Sequence, residues 1–434
     1  MATTVDCLRG LADRALGVSP MMAPARVPIE TRLAAAGLPP LPRTAWLEID
    51  LDALRGNLDV VRELAGPGVP VRPVVKADAY GHGAVPIALA LERAGVDGLC
   101  VATFDEAIEL RAAGVRVRIL VLYPIPASWV SEAARLGIAI AAGDPAGLQA
   151  VVRAAATSAE GVSVGIELEV ETGLGRGGFR AEDIGPAARL IAGVPGVELT
   201  GLWTHFQAIE DPAITIDQVT RFEAAVAAVQ AAGVRLPPRH AAASAGLIAD
   251  GVMAYEGTRP GLAMYGLMPD ELGPTDIPAW VATGLRPVMA LLARPVRVME
   301  LPSGWGISYG PTFRTDRPSR IATLPVGYAD GWSRHLANRA SAIVRGVRVP
   351  LVGNVAMDAV MADVTDVPGP AVDGGDEFVL FGGDGNQRIT VAELAQARTT
   401  NSWEVVTNMS RRLPRVYHAA AVPVGLRTLG ELRG

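Results

Sequence analysis

One lysine, at position 76, is all that this 434-residue chain contains, against 38 arginines among its 39 basic residues. Abundant Ala, Gly, Arg, Pro and Val point to a GC-rich genome. Such a genome turns exposed lysines into arginines at little cost, because the two charges are nearly interchangeable on a solvated surface. That accounts for the missing lysines and not for the survivor, which stands in PVVKADAYGHG (73–83). A lysine resists replacement where its amine must lose a proton, which a guanidinium does not do in proteins. Lys76 is therefore a candidate Schiff-base nucleophile.

Other scarcities narrow the class. The two cysteines, Cys7 and Cys100, offer neither a disulfide framework nor zinc-ligand spacing, so no metal is expected. No run of about 18 apolar residues is free of charge, so no membrane span is expected. Asp6, Arg9, Asp13 and Arg14 interrupt the region where a signal peptide needs an unbroken apolar core. A net charge of -6 gives no basic patch for nucleic acid. Half the residues are hydrophobic and 19% are charged, which excludes a disordered chain. The expectation is a cytoplasmic protein of two or three domains acting on a small molecule.

What is present has a rhythm. Residues 1–42 read as an N-terminal extension without a long periodic run, closed by the Pro-rich GLPPLPR (37–43). AWLEIDL (45–51) alternates like a strand, and Leu54, Leu58, Val61 and Leu64 then keep helical spacing. Short apolar runs recur at 71–75, 98–102, 118–122, 137–141, 163–170, 198–203, 238–243 and 258–263. Helical segments are expected at 84–94, 105–114, 145–156, 181–192 and 214–232. This alternation predicts parallel βαβ units, eight of them, the number in a closed (β/α)₈ barrel. A doubly wound open sheet is the alternative. After residue 280 the texture turns β-rich, with helical pattern sparse until 391–412. The expected fold is α/β: a TIM-like (β/α)₈ barrel over 43–280, whose first strand could belong to a C-terminal mostly-β domain over 281–434.

VVKADAYGHG resembles the cofactor-attachment signature of the alanine racemase family. EIDLDALRGNL, THF, RPGLAMYGL, SYG, LPVGYADG, GNVAMD and RLPRVY follow in that family's order, from about residue 44 to 417. The resemblance implies an enzyme dependent on pyridoxal 5'-phosphate (PLP), with a barrel followed by a β domain. It implies that Lys76 bonds the cofactor and is one catalytic base, and that Tyr80 and Ser244 reach its phosphate. Gly261 and Leu262 would add backbone N–H groups there. His205 would stack on the pyridine ring, although a lone histidine after a strand could equally be structural. Arg259 would face the pyridine nitrogen and oppose its protonation, since two cations would then be adjacent. Tyr309 would be the second base, on the opposite face of Cα, reaching the site from a partner subunit. Met357 and Asp358 would hold the substrate carboxylate from that subunit, and Tyr328 would line the entrance. A homodimer with shared sites follows.

The chain departs from the family's pattern at three places, and the first two bear on substrate choice. Ala243 stands where the family usually has Asn before the phosphate-binding Ser. Trp403, in SWE, stands where a tyrosine touches phosphate and substrate methyl. IELEVETGLGR stands where the family often reads HLKVDTGMGR, so Glu169 replaces a commonly carbamylated lysine, while its partner Arg176 remains. Ile166, Leu168 and Val170 alternate with Glu167, Glu169 and Glu171, which puts three carboxylates on the inward face of a barrel strand. They need partners there, and Arg176 is the nearest in sequence.

The expected activity is interconversion of L- and D-alanine by a lysine–tyrosine pair. A racemase of broader or different specificity is the first alternative. A PLP-dependent decarboxylase is disfavoured by Arg259 and Tyr309. A non-catalytic PLP carrier is disfavoured by the β domain.

Overall fold

The buried apolar runs become short parallel strands, and the helices between them cover the outer face. The computed structural model describes residues 27–156, 163–249 and 251–430. Cys7, the residues set against a signal peptide, and most of the proposed extension lie outside these.

Gly98–Val101, Arg118–Val121, Ile138–Ala142, Val164–Glu169, Val197–Trp203 and Arg239–His240 form one parallel ladder in that order. Two further segments complete the ring. Val75 N–H donates to Cys100 O at 2.8 Å and Cys100 N–H to Pro73 O at 2.9 Å, joining 71–75 to the first rung. Arg72 N–H donates to Thr258 O at 3.0 Å and Val74 N–H to Pro260 O at 2.8 Å. Arg259 N–H donates to Ala242 O at 2.9 Å, which closes the circle. Eight segments therefore enclose a barrel, at the eight apolar runs of the sequence.

The helices Ala84–Arg93, Phe104–Ala112, Pro145–Ala156, Ala181–Ala192 and Pro212–Ala231 fill the gaps. Their starts are written locally. Asp211 accepts from the N–H groups of Ala213 and Ile214, ahead of a proline in the first turn, the preferred opening of a helix. Leu51–Ala65 begins on Asp50, whose carboxylate accepts from Ala53 N–H at 2.8 Å. It buries Leu54, Leu58 and Val61 on one face.

Ala45–Asp50 is not a barrel strand. It pairs in parallel with Arg415–Ala419, Leu47 opposite Arg415, and antiparallel with Met289–Ala293, Leu47 opposite Leu291. It thereby sits inside the eleven-stranded sheet of the C-terminal half. Within the segment read as an extension, Ile29–Ala35 is a short helix with Ile29 and Leu33 buried. Arg32 of that helix pairs with Glu48 at 2.6 Å. One continuous apolar core runs from the barrel into the sheet, with a small satellite of Ile307, Ile321 and Val352. Among the described residues, no helix is long and apolar enough to cross a membrane, and no three His, Cys, Asp or Glu gather as a metal site.

Candidate active site

A cavity of about 480 Å³ opens at the C-terminal ends of the barrel strands, where the loops of such barrels build their sites. Lys76 enters it from the first segment, Glu169 from the fifth, His205 and Ser244 from behind the sixth and seventh, and Arg259 from the eighth.

The backbone after Lys76 is unusual. Ala77, Asp78, Ala79 and Tyr80 have φ of 52, 56, 53 and 52°, and Gly81 follows at 79°. This is a left-handed turn made of non-glycine residues, which costs roughly 1–2 kcal/mol for each. Its neighbours hold it. Ala77 N–H donates to Glu106 Oε1 at 2.6 Å, and Glu106 Oε2 also takes Ala102 N–H at 2.8 Å. Asp78 Oδ1 accepts from Ala84 N–H at 2.9 Å and from Arg427 at 2.7 Å. Arg415 Nε–H donates to Gly81 O at 3.0 Å. A Cβ on Gly81 would collide with Val406 O. The turn thus aims Lys76 and Tyr80 into the cavity together. Burial, then the Arg176 charge, lowers the Lys76 pKa, with Glu106 opposing; the free amine gains.

One end of the cavity suits an anion. Ser244 begins the helix Ser244–Ala249, and its Oγ accepts from Gly261 N–H at 3.0 Å and Ala263 N–H at 3.1 Å. Tyr80 lies opposite, stacked on Tyr265 with ring centroids 4.9 Å apart. A Cβ on Gly261 would stand 2.5 Å from the Tyr80 hydroxyl, so glycine there keeps the hydroxyls and the backbone together. Leu262 is buried and starts a 3₁₀ turn. Trp403 is half-buried and, with Ala243, lines the same cavity.

The floor is cationic. Arg259 is 3% exposed. Its Nη2–H donates to Thr204 O at 2.7 Å, and its Nη1–H to His240 O at 3.0 Å and to the His240 ring. Its guanidinium lies over Trp203, 4.9 Å from the ring centroid. Burial and the Arg259 and Arg176 charges hold His205 at about 3, so its imidazole is neutral.

Two of the three carboxylates expected to face inward do so, Glu167 and Glu169, each with a different partner; Glu171 lies past the end of the strand Val164–Glu169. Glu169 meets Arg176 at 3.6 Å. Its pKa is raised by burial, against the pull of Arg176. Glu171 turns outward and accepts from Gly175 N–H at 3.0 Å. Glu167 points down the barrel to His240 and Arg72, at 2.6 and 3.0 Å. Glu167, His240 and Arg72 escaped the reading of the sequence as site residues. The alternation in IELEVE marked Glu167 as inward, but nothing local names partners 73 and 95 residues away.

Four proposed site residues lie elsewhere. Tyr309, Tyr328, Met357 and Asp358 form one loop cluster on the C-terminal half. Asn354 Nδ2–H donates to Tyr309 O at 2.8 Å, Tyr328 N–H to Ala356 O at 3.1 Å, and Arg412 pairs with Asp358 at 2.7 Å. The cluster faces outward, with Tyr309 78% exposed.

This geometry has relatives. Residues 49–269 match the family described as alanine racemase, N-terminal domain, and residues 288–417 match alanine racemase, C-terminal domain. The chain is 40% identical to an alanine racemase of Desulfovibrio desulfuricans over 86% of its own length and 98% of that protein's. It is 37% identical to one of Halothermothrix orenii, over 86% and 97%. A crystal structure of alanine racemase from Bacillus anthracis with bound L-Ala-P superposes with a TM-score of 0.82 at 31% identity, over 89% and 98% of the two chains. One from D-cycloserine-producing Streptomyces lavendulae gives 0.80 at 35%, over 88% and 98%. With both halves matched in order and the cavity built from both, the chain belongs to the alanine racemase family.

Proposed function

We propose that the enzyme interconverts L- and D-alanine with PLP held in the barrel cavity, in a homodimer whose subunits complete each other's sites. The observation that supports it is the placement of the chain's one lysine. Lys76 lies in a single cavity between an anion cradle and a buried arginine. The donors fit the cofactor: the Ser244 and Tyr80 hydroxyls for a phosphate, an amine for the aldehyde, and a neutral His205 for the ring face. When bound, PLP supplies the electron-withdrawing ring that acidifies the substrate Cα–H.

The protein's own groups do the rest. Lys76 Nζ would bond the cofactor and move a proton at Cα on one face. The phenolic oxygen of Tyr309 from a second copy would do so on the other. That assignment uses an exposed tyrosine that does not line the barrel cavity of its own subunit. Arg176, held by the Glu169 carboxylate, would orient the substrate carboxylate, and Met357 and Asp358 of the second copy would add backbone contacts. A permanent carboxylate at 169 replaces one made by adding CO₂ to a lysine, so turnover should not depend on bicarbonate. The cell interior is the setting this reading gives the enzyme.

Ala243 and Trp403 favour a second reading of substrate range, since both line the cavity and neither is the family's usual residue. A panel of L-amino acids incubated in D₂O separates these readings. Alanine racemisation gives both enantiomers labelled at Cα; a broader enzyme labels several amino acids; a decarboxylase gives amines. Borohydride should fix the cofactor on the peptide containing residue 76. Lys76→Ala should lose both the fixed label and turnover. Full activity in that variant would overturn the proposal.

A further inference from the structure

Below Arg259 the barrel holds an acid with no role in the chemistry described so far. Glu167, on the strand Val164–Glu169, is 3% exposed. Its Oε1 accepts from Arg72 Nη1–H at 3.0 Å, and its Oε2 meets His240 Nε2 at 2.6 Å. Across the imidazole, Arg259 Nη1 meets Nδ1. A buried chain, Arg72–Glu167–His240–Arg259, therefore crosses the barrel interior and ends at the cavity floor. Room for it is built in: a Cβ on Gly201 would stand 2.5 Å from Glu167 Cδ.

The ends of the chain fix its hydrogen-bond directions. A guanidinium only donates, so Nδ1 of His240 must accept from Arg259. The ring proton then sits on Nε2 and needs an acceptor. Arg72 also only donates, so the group between must accept on both sides, as a carboxylate does. A carboxylate on one ring nitrogen makes the other a stronger base, as it does for metal-bound histidines. Here the strengthened Nδ1 grips a guanidinium instead of a metal. Arg72 neutralises the carboxylate from the far side, which leaves the unbalanced positive charge on Arg259, facing the cavity.

We propose that Glu167, with Arg72, is a positioning residue of the racemase. Through the Nε2–H form of His240, it holds the Arg259 guanidinium oriented at the cavity floor. The proposal rests on the reading that Arg259 meets the cofactor ring. The protonation states agree with it. Burial pushes the Glu167 carboxyl up, but the hydrogen bond from His240 and the Arg72 charge outweigh it and keep it below the usual carboxylate range. Burial lowers His240 to about 4, against the pull of Glu167.

The test combines kinetics with a tautomer measurement. Glu167→Gln keeps the shape and removes the charge. It should lower kcat by about tenfold, the lower end of what losing a histidine's carboxylate partner costs, with KM within about twofold. That variant also leaves Arg72 buried without an anion, so thermal stability should fall. The double variant Arg72→Met, Glu167→Gln should recover stability but not kcat. If it recovers both, Glu167 is only structural and the proposal fails. Side-chain ¹⁵N spectra of the wild type, with and without cofactor, should show His240 neutral and protonated on Nε2, assigned by loss of the signal in His240→Asn. Its proton should move upfield in Glu167→Gln. An Nδ1–H or doubly protonated His240 in the wild type overturns the proposal. Failure of the racemase reading looks different: the wild type itself is then silent on alanine, while the tautomer is read regardless of turnover.

Discussion

The cavity at the barrel mouth and the loop cluster around Tyr309 carry the two halves of one proposed reaction, and they are built on opposite terms. The cavity sits inside the barrel mouth and is densely hydrogen-bonded, with Arg259 held by backbone carbonyls and the His240 ring. The cluster is held mainly by backbone contacts and presents its side chains outward. A group that must stay neutral or oriented needs burial. A group that a second copy will cover can remain exposed until then. On the proposed reading, the contrast sets the boundary of the working unit: one chain would finish the cofactor side and leave the opposite face to a second copy.

The largest test removes one half and leaves the other. Tyr309→Phe should reduce racemisation in both directions by at least about 100-fold, the minimum for loss of an acid–base group. Cofactor content should be unchanged, because the cavity does not use Tyr309. Turnover near the wild-type level would return Tyr309 to the surface and dissolve the comparison.

Acid should separate the halves by stability. Burial is the main cause that holds His82 at about 4, His205 at about 3 and His240 at about 4. An imidazole whose pKa falls on folding takes up a proton more readily when unfolded. Its contribution is therefore intact above about pH 6.5 and is lost as pH falls toward 4. At pH 5 each fully buried imidazole should cost about 2 kcal/mol relative to pH 7. The Glu167 carboxylate adds nothing in that window, since its own loss begins only below about 4.5. Urea midpoints measured at pH 7, 6 and 5 should fall steadily. A flat series would mean that water reaches these rings.

Mixing variants probes the boundary directly. Lys76→Ala lesions the cavity and Tyr309→Phe the cluster. If each site draws on two copies, subunit exchange between the inactive proteins should restore about one quarter of wild-type turnover, as random reassortment of a two-fold dimer requires. No recovery, with exchange shown by mass, would place both groups in one chain.

The smallest effect concerns Glu169. Its partner Arg176 is 42% exposed and 3.6 Å away, so the pair is solvent-screened and weak. Glu169→Gln should raise the substrate KM by at most about fivefold and leave kcat alone. Added bicarbonate should change neither protein. A silent variant would leave Glu169 as a buried acid without an orienting role.

The barrel's segments were legible because parallel strands covered on both faces read as unbroken apolar runs. Pro145 and Ala181 open helices at the positions their spacing predicts. The place of Lys76 and Tyr80 in the cavity was legible through a contiguous motif at 73–83. Three things were not. Ala45–Asp50 alternates as any strand does, which left open whether it joins the barrel or the C-terminal sheet; pairing with Met289–Ala293 and Arg415–Ala419, far along the chain, decides for the sheet. The left-handed turn at 77–80 is written in alanine, aspartate and tyrosine, which do not announce positive φ. The Arg72–Glu167–His240 chain is assembled by barrel closure, which no local pattern encodes.

That left-handed turn also sets what can be exchanged between relatives. Four non-glycine residues at positive φ store on the order of 4–8 kcal/mol, comparable with the whole stability of a domain. The clamps that hold them include Arg415, Arg427 and the Val406 carbonyl, all from the C-terminal end of the chain. A barrel grafted onto a foreign β domain would keep the lysine and lose the vice around it. Chimeras should therefore be cut so that 73–83 and 402–427 travel together, and the heritable unit of this fold is that pair of distant segments, not either domain.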